Sequence, residues 1–133
     1  MRSRGLIPSE STRVPDPALI AIVEDDDSLR EAVAGLAESM GYAAVAFASA
    51  EAFLEADIAP DCIVTDITLP GISGIELKQA LDAAGRTAPV IMITARPEEA
   101  ILERARASGA LCVLRKPFTP AALVDCLERA LKA

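Results

Sequence analysis

The chain has 133 residues, which is room for one domain with a single core. Apolar residues make up 52% and charged residues 25%, a globular balance. The net charge of −7 argues against a nucleic-acid binder, and the absence of His removes His-based triads, His zinc sites and the usual neutral-pH proton shuttle. Cys62, Cys112 and Cys126 form no C-x-x-C pair, so buried free thiols in a reducing cytoplasm are expected. No uncharged apolar run approaches the ~20 residues of a membrane span, and no secretory signal core follows Arg2 and Arg4.

Residues 1–17 read as a flexible N-terminal tail with Pro8, Pro15 and Pro17 and no periodicity. A regular pattern occupies 18–133. Short apolar runs at 18–23, 43–47, 62–65, 89–94 and 111–114 do not alternate with polar residues, which fits strands buried on both faces. Amphipathic stretches separate them. Ser28 and Glu31 have capping-box spacing ahead of Leu29, Val33, Leu36 and Met40, with a stop at Gly41. Ser49 caps a short helix holding Phe53. Ser73 and Glu76 give a second capping box, with a stop at Gly85. Pro97 sits where a first helical residue is favoured and Gly109 closes that segment; Thr119–Pro120 opens the last helix.

Strand and helix thus alternate five times. That order predicts an α/β fold: a three-layer, doubly wound, five-stranded parallel sheet with right-handed crossovers. A closed eight-fold barrel needs about 250 residues and is excluded.

Ligands of open α/β sheets gather outside the carboxyl ends of the strands. Glu24, Asp25, Asp26 and Asp27 follow the first strand and Asp66 follows the third. Thr94 ends the fourth, and Lys116–Pro117 follows the fifth. Each is ordinary when taken singly: a solvated helix start, a turn cap, a strand-end hydroxyl, a surface lysine. Together they crowd Glu24, Asp25 and Asp66 at one rim, which is unfavourable unless a cation sits there or a carboxylate stays protonated. All-oxygen ligands favour Mg²⁺. A carboxylate, a hard cation, an ammonium and a hydroxyl are the parts needed to receive a phosphoryl group.

The segments IVEDDDSLR, IVTDITLPGISG, VIMITA and RKPF resemble those of response-regulator receiver domains of the CheY-like class, especially the FixJ-type branch. The resemblance spans about residues 18–131 and implies strand order 2-1-3-4-5. It implies Asp66 as phosphoacceptor, with Asp25 and the Thr68 backbone carbonyl on Mg²⁺ and Glu24 assisting through water. It implies Thr94 and Lys116 against the phosphoryl group, and a cis Lys116–Pro117 bond. The donor would be a histidine kinase or histidine phosphotransfer protein, and the readout a contact with a downstream protein target. A phosphorylation-dependent homodimer through residues 97–115 is also implied. The expected role is that of a phosphoacceptor, not an enzyme. No residues follow Ala133 for a DNA-binding unit, so a single-domain regulator is expected, with a fragment of a larger regulator as the alternative.

One departure stands out. Val113 occupies the place, three residues before the lysine, where many receivers carry a mobile Tyr or Phe. It reads as a core strand residue, and it keeps a pseudo-receiver interaction module open as an alternative. An aspartate-nucleophile phosphohydrolase would need an acid at Thr68, and a flavodoxin-like FMN carrier would need a phosphate loop where Glu24–Asp27 stand.

Overall fold

A computed structural model describes residues 17–132. The tail proposed for 1–17 therefore lies outside the described residues, apart from Pro17. The elements run β1 (Leu19–Val23), α1 (Asp27–Ser39), β2 (Ala43–Phe47), α2 (Ala50–Ala56), β3 (Cys62–Asp66), α3 (Gly74–Ala83), β4 (Val90–Thr94), α4 (Glu99–Ala107), β5 (Cys112–Arg115) and α5 (Pro120–Leu131). All pairings are parallel and the strand order is β2-β1-β3-β4-β5.

Successive strand residues feed opposite core layers, as the pleat requires. Ala21, Val23, Ile63 and Met92 meet Phe53 of α2, Leu77 and Leu81 of α3 and Ala105 of α4. Ile20, Ile22, Val64, Ile91 and Ile93 meet Val33 and Ala37 of α1 and Leu123 and Leu127 of α5. Each fully buried aliphatic side chain contributes about 1.5–3 kcal/mol, so this double layer carries the stability. Phe47 and Phe53 add an edge-to-face contact with centroids 5.5 Å apart.

Burial on both faces holds for β1, β3 and β4, where nearly every residue is buried. It fails for β2 and β5. These are the edge strands, and the flanking helices do not cover them fully. Their apolar sequence resembles that of the centre, so position in the sheet, not composition, sets their exposure.

Ser49, Ser73 and Thr119 cap α2, α3 and α5 as expected, and Ser73 and Glu76 form the full reciprocal box. Two helix starts differ from the sequence reading. The cap of α1 is Asp26, whose carboxylate accepts from the Leu29 amide at 3.1 Å, not Ser28. The buried Glu24 holds the Asp26 amide at 3.1 Å, which fixes the turn two residues earlier than the Ser28–Glu31 spacing predicts. Pro97 lies outside α4, which follows Glu98 without a side-chain cap. The Glu98 carboxylate turns to Arg96 across Pro97 and makes no cap bond. Gly109 closes α4 at φ +93°, a conformation that favours glycine.

Cys62, Cys112 and Cys126 are free and buried. Among the described residues no helix is long and apolar enough to cross a membrane.

Candidate functional site

The parallel register sets Val23 beside Thr65, Asp66 beside Ile93 and Thr94 beside Arg115. The four strands therefore end at nearly one level. Glu24 and Asp25 leave β1 there, Asp66 ends β3, Thr94 ends β4 and Lys116 leaves β5. Asp66 is the last strand residue, where the sequence reading put it just beyond. The Lys116–Pro117 bond is cis.

Carboxylate oxygens of Glu24, Asp25 and Asp66 all lie within 4.8 Å of one another. Glu24 and Asp66 are buried, whereas Asp25 faces solvent. Lys116 is the cation against them. Its Nζ donates to Asp66 Oδ2 at 2.8 Å and stands 3.3 Å from Glu24 Oε1. Three carboxylates against one ammonium leave an excess of two negative charges.

The environment differentiates these acids. Asp66 has both oxygens engaged, since Oδ1 accepts the Thr68 amide at 3.0 Å. Glu24 Oε2 accepts the Asp26 amide, but buried Oε1 has no hydrogen-bond partner and meets Lys116 only as an ion pair. Burial pushes the Glu24 carboxyl above its ordinary value; the Asp26 amide opposes this, the Asp66 charge adds to it, and Lys116 opposes it. For Lys116, burial disfavours the charge, but the Asp66 hydrogen bond and the two acidic neighbours outweigh it and raise the ammonium's pKa.

Three carboxylates, one of them buried with an oxygen that makes no hydrogen bond, fit a hard divalent ion such as Mg²⁺. Thr68 is exposed and is tied to Asp66 through its amide. Thr94 is fully buried, and its hydroxyl oxygen accepts from the Arg96 amide at 2.9 Å. That leaves the hydroxyl proton to be donated elsewhere. Its contact is to the following loop, not to the Asp66–Lys116 pair. Thr94 is joined to Lys116 through the backbone, its carbonyl accepting the Lys116 amide at 2.8 Å. Val113 packs half-buried beside Met92 against the core, as a strand residue should.

Two supports were not read from the sequence. Arg30 donates from Nη1 to the Glu24 carbonyl at 2.9 Å and pairs with Asp27, so it straps α1 to the acidic turn. The three-residue spacing of Asp27 and Arg30 was its only signal. The other is Gly74, the first residue of α3. A Cβ there would lie 2.3 Å from the Asp66 carbonyl oxygen, so only glycine permits this approach.

These features agree with what the chain is similar to. Residues 20–128 match the response regulator receiver domain. The transcriptional regulatory protein FixJ of Azorhizobium caulinodans is 39% identical over 120 residues, covering 89% of this chain and 57% of that protein. The crystal structure of FixJ-N superposes with a TM-score of 0.78 at 31% identity, covering 87% of this chain and 97% of that one. Chemotaxis response regulator CheY4 of Vibrio cholerae gives 0.78 at 28% identity, covering 86% and 99%. The chain spans little more than half the length of the curated relatives it matches. With sheet order, acidic rim and sequence pattern in agreement, the chain belongs to the response-regulator receiver family.

Proposed function

We propose that this receiver takes a phosphoryl group onto Asp66 in a Mg²⁺-dependent reaction and signals by changing its contacts with other proteins. The observation that carries the reading is the Lys116 ammonium, 2.8 Å from Asp66 and 3.3 Å from Glu24 within the triple-carboxylate cluster. Receiver domains as a family use Mg²⁺ and interact with histidine kinases and effector domains.

The donor is a phosphohistidine on a separate histidine kinase or phosphotransfer protein, since these 133 residues hold no His that could supply it. An Asp66 carboxylate oxygen forms the new P–O bond as the P–N bond to the donor imidazole breaks and the imidazole keeps the electron pair. Lys116 moves its hydrogen bond from Asp66 Oδ2 to a phosphoryl oxygen. The Thr94 hydroxyl donates its free proton to another. Asp25, Asp66 and the Thr68 carbonyl, with Glu24 assisting, would hold Mg²⁺, and the bound ion would supply positive charge to those oxygens. The Thr68 amide keeps the Asp66 carboxylate oriented. The product stays on the chain, so the domain is a stoichiometric acceptor and not an enzyme. Its three free buried thiols fit a reducing cytoplasm. Residues 97–115 are assigned to the phosphorylation-dependent contact, a homodimer included.

Incubation with acetyl phosphate and Mg²⁺ should shift the protein on a phosphate-affinity gel, and Asp66→Asn should abolish the shift. Labelling that persists in Asp66→Asn overturns the assignment.

A further inference from the structure

The loop 67–73 leaves the phosphoacceptor strand and carries Thr68. Its base is closed by the Gly74 amide, which donates to the Ile67 carbonyl at 2.9 Å. Its outer arm is held from a different element. Glu51, in the first turn of α2, accepts the Ile72 amide through Oε2 at 3.0 Å. The two residues are 21 apart in sequence.

Gly71 is fitted to the same contact. Its φ is +79°, and a Cβ there would lie 2.2 Å from Glu51 Oε2 and 3.0 Å from Oε1. The carboxylate thus lies flat against a backbone that only glycine leaves open. The Ile72 amide, then Glu51's own amide, hold this carboxyl below its ordinary range, so the acceptor is ionised at neutral pH. Ser49 caps α2 through the Ala52 amide, so the base of the clamp is itself fixed.

We infer that Glu51 is a positioning residue for the phosphoryl site: it clamps Gly71–Ile72 to α2 and thereby fixes the Thr68 peptide. This rests on the proposed role of the Thr68 carbonyl as a metal ligand. The Thr68 amide already orients Asp66, so a loop free to shift would loosen both the amide and the carbonyl of Thr68. Supports of this kind change affinity without touching the ion.

A plain helix-end role would also suit an acid in the first turn of α2. Chemistry separates the two. The clamp needs reach and an acceptor oxygen; the helix end needs only charge. Glu51→Gln keeps reach and acceptor but loses charge. Glu51→Asp keeps charge but is one methylene too short for the Ile72 amide.

The test uses the full ¹⁵N-labelled chain, with Mg²⁺ alone as the probe and amide shifts and hydrogen exchange as readouts. Glu51→Ala and Glu51→Asp should speed Ile72 exchange and weaken Mg²⁺ binding by about tenfold, while Glu51→Gln stays near wild type. Gly71→Ala should displace the carboxylate and strain the backbone at φ +79°, so it too should speed Ile72 exchange and weaken Mg²⁺ binding. Melting temperatures report whether each variant is folded. Equal Mg²⁺ affinity in wild type and Glu51→Ala overturns the inference alone, as does wild-type behaviour of Glu51→Asp. Failure of the wild type to bind Mg²⁺ overturns the underlying reading of the site.

Discussion

Asp25→Asn should make the metal-free protein more stable and insensitive to Mg²⁺. Asp25 has an oxygen within 4.8 Å of oxygens on both Glu24 and Asp66. At that separation two unit charges repel by about 0.9 kcal/mol in water and about 3.5 kcal/mol at an effective dielectric of 20. Asp25 is exposed, so the lower figure applies, and two such pairs give about 2 kcal/mol. Lys116 offsets part of this, leaving about 1 kcal/mol of relief, or about 4 °C in melting temperature for a domain of this size. Saturating Mg²⁺ should reverse the order, because at a hundredfold excess over Kd the wild type gains about 2.7 kcal/mol that the variant cannot. The assay is thermal melting by circular dichroism in EDTA and in Mg²⁺, at low and high salt; salt should shrink the EDTA difference. Asp27→Ala is the control, since Asp27 pairs with Arg30 and its side chain is 81% exposed. The reasoning is refuted if Asp25→Asn is less stable than wild type in EDTA, or if Mg²⁺ stabilises both equally.

Gly74→Ala should lower stability by about 1–3 kcal/mol and suppress labelling from acetyl phosphate, because the new Cβ meets the Asp66 carbonyl at 2.3 Å and both partners are backbone-fixed. Urea unfolding with wild-type stability would dispose of that claim. Burial raises the Glu24 carboxyl above its ordinary 4.5, so the folded chain binds that proton more tightly than the unfolded chain. Its contribution in metal-free buffer is therefore present at low pH and lost as pH rises through the raised folded value. Glu24→Gln should flatten this loss as pH rises above about 4.5, and parallel stability profiles for variant and wild type would count against it. Glu51 and Glu98 act in the opposite sense: the Ile72 amide and Arg96 lower their folded values, and their contribution is lost as pH falls.

Where a residue's role follows from its place along a strand, the sequence makes it legible. Val23, Asp66, Thr94 and Arg115 end four parallel strands, and that fact alone brings Glu24, Asp25, Asp66 and Lys116 together. The Ser73–Glu76 box is legible for the same reason, being a contact between near neighbours. The misassigned caps fail because two local signals compete. Asp26 and Ser28 are equally good caps, and a buried carboxylate outside the helix decides between them. Glu51 was invisible because its partner lies across a strand and a loop, and a lone acid in a first turn has an ordinary explanation already.

Sequence also presents Glu24, Asp25 and Asp66 as alike, and the fold makes them unlike. Asp66 has each oxygen fixed by a donor, which holds a nucleophile in one orientation. Glu24 is buried with one oxygen met only by the Lys116 ion pair and no hydrogen bond, a shortfall that a metal ion or its water would remove. Asp25 stays open to solvent, where it can receive an ion without first leaving a partner. The division follows from the backbone: β1 ends before its two acids turn apart, one inward and one outward, whereas β3 carries its acid as its own last residue, still buried. Charge conflict at the rim is therefore distributed over three environments, and it is the unequal burial, more than the number of acids, that gives each carboxylate different chemistry.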